Sequence, residues 1–169
     1  MITGRSRRKD VIIALVLAFF AFWMMSDRAV PLLSFVDLGY HGVGRALSFA
    51  FPPTIQAASG SFFQIGVPFA LGLYFFVRDE AATALCFGWA ATDAFDVARH
   101  AADAPYGKLP AVFGMHDWSV LLGNMHVLAR APEIANAIRF AGWTMLVVGA
   151  VLLARPYIRR MATGHEVPA

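Results

Sequence analysis

The sequence predicts an all-α integral membrane protein, a bundle of about six membrane helices, and three observations carry that expectation. Hydrophobic residues make up 59% of the 169-residue chain and charged residues only 15%, against roughly 45–50% and ~25% in an ordinary soluble domain. The apolar residues come in long runs separated by Pro, Gly and short charged clusters, which is span-and-turn punctuation. Basic residues gather near both ends, the pattern of cytoplasmic flanks. The formal net charge of +3 is therefore a topology signal and not a nucleic-acid footprint. The expected organisation is a basic cytoplasmic N-terminus over residues 1–10, one membrane helical domain over 11–155 and a cytoplasmic tail over 156–169. Both termini then face the cytoplasm of a bacterial inner membrane. The expected partners are the lipid bilayer and other membrane proteins.

Each segment has its own warrant. G-R-S-R-R-K-D at residues 4–10 precedes an apolar run, and Met24, Met25 and Asp27 stand where a signal-peptide cleavage site would need small residues. Residues 11–26 are therefore expected to be a retained first span. Residues 29–51 are long enough for a second, and they carry Asp37, His41 and Arg45 at i, i+4 and i+8, hence on one helix face. Pro52-Pro53 ends that segment, and T-I-Q-A-A-S-G-S at 54–61 reads as a polar loop. Residues 62–77 form a third apolar segment, and Arg78-Asp79-Glu80 a tight turn whose acids suit the start of the next helix. The fourth segment, residues 81–102, contains Ala84, Gly88 and Thr92, a ridge of small residues suited to close helix contact. A-P-Y-G-K-L-P is a loop. Residues 115–130 are too polar to face lipid throughout, so they are either an enclosed fifth span or an interfacial helix. Ala131-Pro132-Glu133 opens a final span over 134–154. Two cytoplasmic ends require an even number of crossings. Six is preferred, with Asp93, His100, His41 and His116 toward the cytoplasmic half; four spans plus two embedded segments also satisfies the count.

Chemistry concentrates in W-A-A-T-D-A-F-D-V-A-R-H-A-A-D, residues 89–103. On a helix Asp93, Asp96, His100 and Asp103 fall within an arc of ~80°. Ionisable groups in a membrane are costly unless paired, protonated or metal-bound. Asp96 and His100 at i, i+4 can share one metal, which His41 and His116 from other segments could complete. The alternative is a buried hydrogen-bonded network in which Arg45 or Arg99 neutralises the aspartates. Zinc is the metal considered for such a set, and a b-type haem on paired histidines, with His126 on roughly the face of His116, is the weaker option. Trp118 reads as an aromatic-belt residue and Asp117 as either a helix cap or a site acid. His165 reads as a solvated tail residue. Cys86 is the single cysteine, which excludes an intrachain disulfide framework. No Ser or Cys nucleophile pattern, phosphate loop or dinucleotide fingerprint is present.

D-L-G-Y-H-G-V-G-R-A-L resembles a degenerate H-E-x-x-H in a membrane setting. With G-S-F-F-Q-I-G-V-P at 60–68, A-A-D-A at 101–104 and H-D-W at 116–118, the chain resembles small bacterial membrane proteins related to the site-2-protease-like zinc metallopeptidases, over residues ~36 to ~130. In such a site two histidines bind zinc and the glutamate activates water. Here His41 stands at the first ligand position, Gly42 at the general base and Arg45 at the second ligand. The resemblance implies a non-proteolytic relative, an accessory or structural subunit docking onto other membrane proteins. A metal-binding protein or metalloenzyme using His41, Asp96, His100 and His116, and proton or cation transfer through the Asp/His stripe, are the alternatives. A salt bridge from Arg45 to Asp93 or Asp96 is expected, with Asp103 and Asp117 in the surrounding polar network.

Overall fold

The computed structural model describes residues 7–31, 33–110 and 116–162, apart from the side chain of Arg160. The first six residues of the basic flank and the tail bearing His165 lie outside the described residues. The described residues are all-helical: α1 (Arg7–Met25), α2 (Leu33–Leu47), α3 (Pro53–Phe75), α4 (Glu80–Asp103), α5 (Asp117–Asn124), a 3-10 turn (Leu128–Arg130) and α6 (Ala131–Ala162). Two helical stretches, Pro53–Phe75 and Leu128–Arg159, are long and apolar enough to cross a membrane.

α4 is the central element. It packs against α6, α3, α1 and α5, and its alanines at 81, 84, 90, 91, 94, 98 and 101 are buried. Small residues let the neighbouring backbones come close. A Cβ on Gly142 of α6 would lie 3.1 Å from the Ala91 carbonyl oxygen, and one on Gly149 3.0 Å from that of Ala84. Gly88 receives Leu17 and Phe20 of α1. Asp79 caps α4, accepting from the amides of Ala81 and Ala82 at 2.9 and 3.2 Å.

Several sequence boundaries shift. The expected loop at 54–61 forms the opening turns of α3. Pro53 suits the first helical position, where its missing N–H is no loss. Gln56 Nε2 also donates to the carbonyls of Phe49 and Phe51, tying the helix start to the preceding turn. α1 begins at Arg7, so the described basic flank is helical rather than separate. α6 runs through Pro156 to Ala162, past the expected tail boundary at 156. The segment 115–130 is no span: α5 has eight residues, about 12 Å of helix, against a hydrocarbon core of ~30 Å.

Side-chain pairings fix the ends of the bundle. Lys9 Nζ lies 2.5 Å from Asp79, Tyr157 donates to Asp10 at 2.6 Å and Arg155 reaches Glu80 at 3.6 Å. The start of α1, the α3–α4 turn and the end of α6 therefore share one end. His100 lies 20 residues along α4 from Glu80, about 30 Å away. The stripe thus occupies the half of α4 away from the end where Lys9, Asp79, Glu80 and Arg155 meet.

Candidate functional site

The stripe opens into a cavity of about 70 Å³ between α2, α3, α4 and α5. That is room for several waters. His41, Asp96, His100 and His116 all line it, as do Asp37, Gln64, Asp103, Asp117 and Trp118. The four short motifs, scattered over some 80 residues of sequence, therefore converge on one space.

Asp117 closes the cavity on the α5 side. Its side chain is 4% exposed and bonds two groups of α2. His41 Nε2 meets Oδ2 at 2.8 Å, and the Arg45 guanidinium donates to Oδ1. One helical turn separates His41 from Arg45, so a single carboxylate in front of α2 can accept from both. Room for the imidazole comes from α3: a side chain on Gly60 would overlap the His41 ring. α2 is held against α3 by Gly44, over which the Ser59 carbonyl passes, and by the Ser48–Ser59 hydroxyl bond of 2.6 Å.

The expected bond from Arg45 to Asp93 or Asp96 is not what forms. Arg45 binds Asp117, because α5 is a short helix that brings Asp117 over α2. Asp96 takes Arg99 Nη1 at 3.1 Å and Gln64 Nε2 at 3.3 Å. Asp103 accepts the Leu109 amide at 2.7 Å and so ties down the following loop, which turns at Gly107 with φ +59°. His100 is half-buried on the cavity wall, with Asp96, Arg99, His41 and Asp103 acting on it. Asp93 is displaced from the cavity into the protein: it is 0% exposed, and Asp37 is the polar side chain set against its carboxyl group. Asp37 lies next to it and acts on it, accepts Trp89 Nε1 at 2.9 Å and faces the cavity.

Two aromatic and histidine readings change. Trp118 is not a belt residue: its indole N–H donates to Ser61 Oγ at 3.1 Å and its ring packs on Ala98, Ala101 and Ala135. Asp117 does not cap α5; His116 holds the N-cap position. His126 is exposed, lies beyond the end of α5 with φ +57° and takes no part in the cavity. Asp37 and Gln64 are the site residues that the stripe argument missed. The signal for Asp37 was its i−4 relation to His41.

No protein family, no curated protein and no solved structure matches the chain. The peptidase-like resemblance rests on the short sequence motifs alone. Among the described residues no three His, Cys, Asp or Glu side chains are grouped so that they could hold a metal ion. The His41 nitrogen is turned to Asp117, and a guanidinium stands one turn away. This donor set, as arranged, does not fit a zinc centre.

Proposed function

We propose that the protein is a non-proteolytic, polytopic membrane protein, an accessory or structural subunit of the peptidase-like group that docks onto other membrane proteins. The observation that carries this reading is the shared grip of His41 and Arg45 on Asp117. The guanidinium supplies the positive charge that a zinc ion would supply, and Gly42 offers no base to activate water. The polar groups then stabilise the fold and hold the shape that the partner meets.

In this reading α1, α3, α4 and α6 cross the bilayer, while α2 and α5, with 15 and 8 residues, are embedded pieces. Arg7, Arg8, Lys9, Arg78, Arg155 and Arg159 fall at the terminal end, which supports a cytoplasmic placement of that end in a bacterial inner membrane. The cavity then faces the outer side.

Purification from membranes in mild detergent, with metal analysis and identification of co-purifying proteins, tests the proposal. A defined membrane protein should accompany the chain, and zinc should be substoichiometric. A clean, stable monomer, or stoichiometric zinc lost in His100→Ala, overturns it.

A second reading, proton transfer, is supported by the buried Asp93 set behind Asp37, two acids side by side at membrane depth. Proton flux into vesicles carrying the protein, abolished by Asp93→Asn, would favour it over the first.

A further inference from the structure

We propose that the cleft between α1 and α6 binds one acyl chain of an anionic phospholipid, with the phosphate held at Arg7. The inference rests on the membrane reading above. α1 and α6 each pack chiefly on α4 and touch one another little, which leaves a cleft of about 470 Å³. That volume falls within the ~300–1,000 Å³ of small-molecule sites. The space exists because the facing positions are small: Ala14, Ala18 and Ala21 on α1, Ala150 and Ala154 on α6. Its body offers water almost no hydrogen-bond partner, and a buried water needs two to four. A hydrocarbon chain instead gains contact along its whole length. From Arg7 to Ala21 the cleft runs along about 21 Å of helix, enough for the ~15 Å hydrocarbon depth of one leaflet.

Charge decides the headgroup. Arg7 lines the mouth, is exposed and makes no ion pair with any described residue. Its neighbours at that end are engaged: Lys9 with Asp79 and Arg155 with Glu80. The acid at the mouth, Asp10, is buried and accepts the Tyr157 hydroxyl, so it does not face an incoming phosphate as a bare charge. A guanidinium matches a phosphate with paired donors, and at the cytoplasmic surface it selects anionic over zwitterionic lipid.

The test takes the full chain from vesicles of equal parts phosphatidylcholine and phosphatidylglycerol into mild detergent and reads retained lipid by native mass spectrometry. The wild type should keep a single phosphatidylglycerol. Arg7→Gln, an exposed change, should lower the preference for phosphatidylglycerol over phosphatidylcholine about fivefold. Ala150→Phe, which fills the cleft, should lose both lipids. Equal retention of the two lipids by wild type and Arg7→Gln overturns the proposal. So does a protein dimer or a co-purifying membrane helix that Ala150→Phe dissociates, since either means that protein fills the cleft. Alkaline carbonate extraction separates the two levels: release of the chain from the membrane sinks the membrane reading, whereas a membrane-retained chain without bound lipid sinks this inference alone.

Discussion

Replacing Asp117 with alanine removes one carboxylate and strands two groups. His41 and Arg45 side chains are 7% and 13% exposed, so water cannot fully replace the lost acceptor. Hydrogen bonds to a charged group contribute ~1.5–3 kcal/mol each, and two of them sum to ~3–6. Breaking a buried ion pair from one side costs ~3–5 kcal/mol. The two routes agree, so Asp117→Ala should destabilise by about 4 kcal/mol. For a domain of this size 1 kcal/mol corresponds to ~2–4 °C in Tm, which gives a fall of roughly 8–16 °C. Thermal unfolding in detergent, followed by loss of the monodisperse peak in size-exclusion chromatography, measures it. The double variant Asp117→Leu with Arg45→Met replaces the pair by apolar side chains and should lose less than the two single changes added together. A fall below about 2 °C for Asp117→Ala, or strict additivity in the cycle, would refute the argument that this carboxylate anchors α5 to α2.

Three further outcomes are expected. Gly60→Ala should push against the His41 imidazole and cost ~1–3 kcal/mol as an overpacked contact, read as a lower midpoint in the same thermal assay; an unchanged midpoint would mean that the ring moves aside freely. Asp93→Asn should leave stability unchanged or raise it, since an amide can still donate to the neighbouring Asp37 carboxyl and a neutral group is less costly to bury than a charge; a large destabilisation in the same assay would show that the charge is needed. The Lys9 ammonium holds the carboxyl of Asp79 below the usual carboxylate range, so its contribution is present above the unfolded pKa near 4 and is lost as pH falls through the lower folded value. Lys9→Ala should therefore flatten the acid limb of a stability–pH profile, and an unchanged limb would assign that limb to other groups.

How much could be read from the sequence depended on whether partners lie on one helix. Asp37, His41 and Arg45 share a face because of the 3.6-residue period, and so do Asp96, His100 and Asp103; Asp93, expected in the same stripe, lies at its edge and is buried behind the cavity. What joins them is non-local. Asp117 is 76 residues from His41, and its placement depends on α5 being a short piece folded over α2 rather than a crossing helix. Searching for the Arg45 partner by depth in a six-crossing bundle therefore led to Asp93 and Asp96. His126 fails for a related reason: the helix ends at Asn124, so a shared-face argument from His116 has no helix to run along. Residues 54–61 look like a loop by composition, yet Ser59 bonds back to the Gln56 carbonyl and across to Ser48. Polar side chains here satisfy a helix–helix contact. The cavity's location also escaped sequence reading, since it follows from which ends pair at Lys9–Asp79 and Arg155–Glu80.

The cavity is built from unequal walls. α4 is clamped by backbone-close neighbours on several sides, whereas α5 is held by the packing of Trp118 and Leu122 and by side-chain bonds to His41, Arg45, Thr54, Ser61 and Ala104. Local opening draws on the element with least buried apolar contact, so amide exchange should separate the two helices, with α5 exchanging through a small opening and the middle of α4 only with global unfolding. Anything entering the cavity will meet a fixed comb of acids and imidazole on one side and a yielding flap on the other. The adjustment needed to fit a guest falls on α5, and the energy of seating it there comes from undoing and remaking the bonds around Asp117.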